Sequence, residues 1–135
     1  MAMEHSIIFG PTKGLELPGE TIKKAIAGGV DGIMTSYGMA THFAKEISPV
    51  GLILRSDGVA TMLGPDVEAP VWFGVKEALR IGADALCISS FPGDVKEMRT
   101  LNNLSKITRK AHSWGLAVQA EMVPGGMGGS PEYRT

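Results

Sequence analysis

The sequence predicts a parallel α/β fold, and three observations carry that prediction. A helix, a glycine and a short apolar run occur together as a unit that repeats nearly in register. The same alternation continues between and beyond the two copies. The apolar runs are hydrophobic at successive positions, as expected of strands buried on both faces.

The internal echo is the clearest of these. Thr21 to Met34 reads TIKKAIAGGVDGIM and Gly74 to Cys87 reads GVKEALRIGADALC. Aligned without a gap, Lys23 meets Lys76, Ala25 meets Ala78, Gly29 meets Gly82 and Asp31 meets Asp84. In each copy the apolar residues first fall at helical spacing, Ile22, Ala25 and Ile26 in one and Val75, Ala78 and Leu79 in the other. After the glycine, Gly32-Ile33-Met34 and Ala85-Leu86-Cys87-Ile88 are too short for helices and read as strands.

The remaining elements follow in order. Periodicity makes Ile7-Ile8-Phe9 a strand. A helix is expected over Met39 to Ile47, closed by Ser48-Pro49, and Val50 to Leu54 forms the next strand. Val59 to Phe73, rich in Gly, Pro and Asp, is a long loop, with the following helix starting near Pro70. Met98, Leu101, Leu104, Thr108 and Ala111 line one side of a helix that ends near Trp114-Gly115, and Leu116 to Ala120 is the last strand. Parallel neighbours need crossover connections, so strict alternation leaves an open doubly wound sheet or a (β/α) barrel.

Composition narrows the function classes. With 44% hydrophobic and 20% charged residues and a formal net charge of -1, the 135-residue chain is globular rather than disordered. It has the length of one domain but falls short of a complete barrel, which takes about 250 residues. The 13 basic and 14 acidic residues are interspersed, without the basic stripe of a nucleic-acid binder. Cys87 is the single cysteine, so no intrachain disulfide forms. No signal segment and no apolar run of about 20 residues is present, so a cytoplasmic protein with no membrane partner is expected.

In either parallel architecture a ligand sits beyond the carboxyl ends of the strands. Thr35 and Ser36, Arg55 to Gly58, Ser89 to Gly93 and Glu121 to Gly129 are therefore the candidates. Arg55 and Asp57 straddle a strand end, where a buried ion pair and an anion-binding guanidinium are both open. Ser89 to Gly93 reads either as a polar turn before a helix at Asp94 or as part of a site. Asp31 and Asp84 sit at strand starts, on the opposite rim, and read as turn or cap residues. Gly125 to Gly129 matches no phosphate-cradling fingerprint and reads as a mobile loop. His5, His42 and His112 have no metal-ligand spacing with Cys87.

Glu4 to Glu16, EHSIIFGPTKGLE, resembles the segment after strand one of the archaeal-type class I fructose-bisphosphate aldolases, with Asp-His-Gly, three variable residues, Gly-Pro, then Gly-Leu. The likeness continues through Asp31-Gly32-Ile33-Met34 with Gly38, through Glu77 to Ala85, through Phe91-Pro92-Gly93 with Glu97, and ends near Met122 to Gly126. Deoxyribose-phosphate aldolases and an autoinducer-processing thiolase are similar more distantly or with other substrates. The resemblance implies a partial (β/α)8 TIM barrel, about strands one to five, as a single incomplete domain over residues 1–135. By the same likeness Ile7-Ile8-Phe9 lies after a strand rather than in one.

The resemblance further implies a lyase that cleaves or forms carbon-carbon bonds on a small phosphorylated carbonyl substrate; no cofactor is expected, and the spacing of the histidines gives no reason to expect a metal. In the family a lysine on strand six forms a Schiff base, assisted by a carboxylate after strand one and a tyrosine on strand five. Burial suits such a lysine because only the unprotonated amine attacks a carbonyl. Carried over, Glu4 takes the carboxylate position and His5 its neighbour, while Val123 stands where the tyrosine would be. Glu121, two residues earlier on the same strand face, could supply a carboxyl instead. Arg55 and Ser89 are the candidate substrate-binding residues. Lysines 13, 23, 24, 45, 76, 96, 106 and 110 fall in loops or helices, so the imine-forming amine is expected beyond Thr135, and the chain is expected to be a partial sequence. An uncovered half-barrel has open edges, which favours a homo-oligomer.

Overall fold

A computed structural model describes residues 1–58 and 70–126. Its four strands, β1 (Gly32–Thr35), β2 (Gly51–Arg55), β3 (Ala85–Ser90) and β4 (Ala117–Met122), form one sheet in the order β1-β2-β3-β4. All three pairings are parallel. The chain start adds the end of a further parallel strand: Ala2 bridges Met34, and the Met3 amide donates to the Met34 carbonyl at 2.8 Å.

Neighbours in sequence are neighbours in space, without the reversal of strand order that defines a doubly wound sheet. The helices collect on one face. Ile22 of α2 (Pro18–Ala27), Val75 and Ala78 of α5 (Val75–Arg80), and Ile107 and Ala111 of α6 (Glu97–His112) form a single buried cluster with Ile33, Leu52, Leu54, Leu86 and Ile88 of the strands. Strand alternation leaves Arg55, Cys87, Ser89, Gln119 and Glu121 on the other face, which in a barrel lines the interior.

The repeated unit has a physical basis in its cap. Gly29, Gly82 and Gly115 each adopt positive φ, and the next residue returns its amide five positions back, Val30 to Ala25, Ala83 to Ala78 and Leu116 to Ala111. That is the Schellman closure, which turns each helix into the following strand. Asp84 at the start of β3 accepts the Leu52 amide at 2.8 Å, and the Asp31 carbonyl accepts the Gly51 amide at 2.9 Å. The Asp84 side chain is therefore a structural residue at the amino-terminal rim, while Asp31 takes part there through its backbone.

Four sequence expectations need correction. Ile7 to Phe9 is neither strand nor open loop but lies in a one-turn helix, α1 (Ser6–Phe9). The expected helix over 39–47 is two short ones, α3 (Tyr37–His42) and α4 (Ala44–Ile47), broken at Phe43, where φ is -107° and ψ 28°. Pro70 starts no helix: its carbonyl accepts the Gly58 amide, Val71 bridges Asp57 antiparallel, and α5 begins only at Val75. In α6 the buried line runs through Thr100, Ile107 and Ala111 with Leu104 packed beside it, and Met98 is 70% exposed.

The loops after β3 and β4 are tied together at the carboxyl rim. The Gly125 amide donates to the Pro92 carbonyl at 2.7 Å, and Gly126 has φ +72° with space for a Cβ only 2.4 Å from Asp94 Oδ2. Asp94 is not free to turn away, since its Oδ1 accepts the Lys96 amide at 2.8 Å. Gly126→Ala is expected to cost about 1–2 kcal/mol from backbone handedness alone, plus the displacement of Asp94. Chemical denaturation measures it, and an unchanged midpoint would contradict the tie. Residues 127–129 of the expected glycine loop lie outside the described residues, as do residues 59–69 of the expected long loop.

Candidate active site

The carboxyl ends of the strands bring Glu4, Arg55, Asp57, Ser89 and Glu121 together. Arg55 closes β2, and its side chain is 2% exposed. By register Arg55 lies beside Cys87, while Ser89 and Glu121 face each other one interior position higher. The guanidinium reaches up past the small Cys87 to that higher row. Its Nη1 donates to Glu121 Oε2 at 2.6 Å and its Nη2 donates to Ser89 Oγ. Its Nε lies 2.8 Å from Asp57 Oδ1, an ion pair in which the oxygen sits off the N–H axis. Glu4 Oε1 stands 3.9 Å from Nη1.

The cluster is braced by the sheet itself. Asp57 Oδ2 accepts the Ser89 backbone amide at 2.8 Å, and Ser89 Oγ donates to Glu121 Oε2 at 3.0 Å. Arg55 thus joins β2, β3 and β4 through one planar guanidinium, and faces the Glu4 carboxylate across 3.9 Å without a hydrogen bond. Of the two roles open at this position, these contacts satisfy the ion pair.

The same geometry sets the charge states. Burial pushes the Glu121 carboxyl up, but the Arg55 charge, the hydrogen bonds from Arg55 and Ser89 and the nearby charge of His5 outweigh it and hold the carboxyl below its ordinary range. Burial also opposes the Arg55 charge, yet Asp57 and Glu121 more than offset it and raise its pKa. Glu121 is therefore an ionised carboxylate at neutral pH, able to accept a proton. Its side chain is 39% exposed, which gives solutes access from the open face.

His5, expected beside Glu4, has an exposed ring outside the Arg55 ion pairs. Val123 packs with Ile8 against buried Phe91, so the position carried over from the family's tyrosine is occupied by a small apolar cluster. Asp57, a candidate at the same strand end, pairs with Arg55, as a spacing of two on one face allows. All eight lysines fall among the described residues: none lies in a strand and none is buried. Among the described residues no group of histidine, cysteine and carboxylate side chains is placed to hold a metal ion, and no helix is long and apolar enough to cross a membrane.

Residues 1–129 match the family described as DeoC/LacD family aldolase. The chain belongs to that family. It is 30% identical over 119 residues to the 2-amino-3,7-dideoxy-D-threo-hept-6-ulosonate synthase of Halobacterium salinarum, a match covering 87% of this chain and 44% of that protein. It is 26% identical over 131 residues to the class 1 fructose-bisphosphate aldolase of Thermoproteus tenax, covering 93% and 49%. A solved archaeal fructose-1,6-bisphosphate aldolase, with its catalytic lysine covalently bound to the carbinolamine intermediate, matches with a TM-score of 0.81 at 28% identity, over 98% of this chain and 56% of that one. The chain spans about half the length of the curated relatives it matches. Its sequential parallel sheet is accordingly a partial barrel, and the Arg55 cluster lies on the barrel's interior face at the carboxyl rim.

Proposed function

We propose that this chain supplies one half of a class I, Schiff-base aldolase site acting on a small phosphorylated carbonyl compound. The observation that carries this reading is the convergence of Glu4 and Glu121 on Arg55 at the carboxyl rim of a DeoC/LacD-type sheet. Glu4 and Glu121 serve proton transfer beside the reacting carbon, and Arg55 with Ser89 orients Glu121 and meets substrate. His5 stands exposed beside Glu4 at the rim. The imine-forming lysine belongs to the other half of the barrel.

Borohydride trapping tests this. The 135-residue chain, incubated with dihydroxyacetone phosphate and reduced, is expected to show no adduct by intact mass, because every lysine sits on a helix or loop. Fused to the remaining barrel half of an archaeal relative, it is expected to yield one adduct on a lysine outside residues 1–135. In that fusion Glu121→Gln lowers turnover by about 10²–10⁴-fold, the range for a lost general acid or base. A stable adduct on any of the chain's own lysines would overturn the division of roles.

A second reading, a non-catalytic half-barrel that self-associates, draws on β4. Ala117, Gln119, Ala120 and Met122 are exposed on both faces of this last described strand, an open parallel edge of the kind that pairs with another chain. Sedimentation separates the readings, since a monodisperse monomer at high concentration counts against self-association.

A further inference from the structure

The chain leaves its opening strand end at Met3, whose amide is held by the Met34 carbonyl, and a little further on Ile8 of α1 packs with Val123 against buried Phe91. Phe91 follows β3 and Val123 follows β4, whereas the opening strand end lies beside β1. Ile8 therefore seats three strand spacings, about 14 Å along the sheet, from the strand it came from. In a closed eight-stranded barrel the first strand faces the fourth and fifth across the interior, so α1 crosses the carboxyl mouth over the Arg55 cluster.

Both ends of the crossing are anchored by this chain alone, so the arrangement does not depend on the rest of a barrel. At the far side the Phe91 amide donates to Thr100 Oγ1 at 3.1 Å and the Val123 amide to the Ser90 carbonyl at 2.9 Å, which makes a firm seat for Ile8. Beyond α1 the chain reverses at Gly10, with φ 67° and ψ -147°, a combination essentially confined to glycine. Glu4 rides on the crossing. Its carbonyl accepts the Ile7 amide at 2.9 Å, and the His5 carbonyl accepts the amides of Ile8 and Phe9. The Glu4 carboxylate makes no hydrogen bond with the described residues and stands 3.9 Å from Arg55 Nη1, so its place is set by the backbone that carries it.

We propose that Ile8, seated on Phe91, is a positioning residue for Glu4: it closes α1 as a strap across the mouth and so holds the Glu4 carboxylate over Arg55. A strap released from Phe91 keeps only its anchor at Met34 and carries Glu4 toward water. Glu121 stays behind, because Arg55 and Ser89 hold it from the strands. The functional meaning rests on Glu4 serving the aldolase site, and the inference adds to that site a residue that acts through Glu4 without touching substrate.

Carboxyl modification reads the position of Glu4 directly. The 135-residue chain is treated under native conditions with a water-soluble carbodiimide and glycine ethyl ester, and peptide mass mapping follows Glu4 and Glu121 separately. In the parent chain Glu4, at 6% exposure, is expected to be protected relative to Glu121. Ile8→Ser is expected to speed modification of Glu4 at least about tenfold, the factor that follows from losing most of an isoleucine's burial, and to leave the rate at Glu121 unchanged. Ile8→Leu, which refills the seat, should restore protection. Gly10→Ala strains the reversal without touching Ile8 and should expose Glu4 in the same way, so it decides the matter if Ile8→Ser does not fold.

A Glu4 that stays protected in both Ile8→Ser and Gly10→Ala overturns the proposal, as does an Ile8→Leu chain as reactive as Ile8→Ser. An equal rise at Glu4 and Glu121 also overturns it, because α1 would then open only with the whole sheet. No substrate enters this measurement. If the fusion protein traps an adduct while Glu4 is indifferent to Ile8, the aldolase reading stands and the strap fails; a Glu4 that follows Ile8 beside a fusion that traps nothing keeps the strap and removes the aldolase.

Discussion

Arg55→Ala is expected to destabilise the chain by about 3–5 kcal/mol, the cost of leaving buried charges without their partner. The wild-type guanidinium is 2% exposed and touches Glu121, Asp57 and Ser89 at once. Removing it strands Asp57, itself 2% exposed, and Glu4 in a poorly solvated place with no counter-charge. Glu121, at 39% exposure, can turn to water and should contribute little to the loss. Urea denaturation measures the change. Adding Asp57→Asn to Arg55→Ala should return part of the lost stability, because the second substitution removes a charge the first has orphaned. Arg55→Lys should recover little, since a single ammonium cannot span Asp57 on one side and Ser89 with Glu121 on the other. A loss of under about 1 kcal/mol for Arg55→Ala would mean that the pairs behave as solvated surface bridges.

How much of this cluster was legible beforehand depends on the kind of signal each residue leaves. Arg55, Ser89 and Glu121 were reached by a rule of architecture, that ligands meet parallel strands at their carboxyl ends, and by alternation along each strand. Glu4 came from resemblance, because it follows only a stub of strand and has no periodicity around it. The stagger between strands left no trace. That Ser89 faces Glu121 while Arg55 lies one interior step lower is a property of the pairing, and it alone explains how one side chain reaches three strands.

The errors have causes of the same type. Apolarity alone puts Met98 on the α6 stripe, but the helix settles on Thr100, whose hydroxyl accepts the Phe91 amide at 3.1 Å and fixes the loop after β3. A polar residue with a structural bond displaced an apolar one from the core line. Pro70 looked like a helix start, yet the amides of Trp72 and Phe73 are drawn to the Ser56 carbonyl, which holds this stretch extended against the end of β2. Such long-range bonds override local preference and cannot be read locally.

Cys87 should react with a thiol reagent at pH 8 roughly a thousandfold more slowly in the folded chain than in urea. Only the thiolate attacks, and burial pushes this thiol from about 9 up to about 12, with the Arg55 charge opposing the rise and Glu121, Asp57 and Glu4 adding to it. Three pH units of displacement correspond to about 10³ in thiolate fraction, before any steric exclusion is counted. The sign of the accompanying stability change follows. A thiol that keeps its proton in the fold but ionises near 9 when the chain opens contributes stability that is complete below pH 9 and declines as the pH rises toward 12. Comparing Cys87→Ala with the parent chain isolates that component, because the variant lacks the alkaline loss and keeps the rest. The two tests also meet at one contact, since Arg55 Nη1 lies 4.0 Å from Cys87 Sγ. In Arg55→Ala the restraining cation is gone, so the thiol of any molecule that stays folded should ionise still less readily. Faster labelling of that variant therefore does not come from easier ionisation of the thiol and reports its uncovering, by opening of the sheet or through the space the guanidinium leaves.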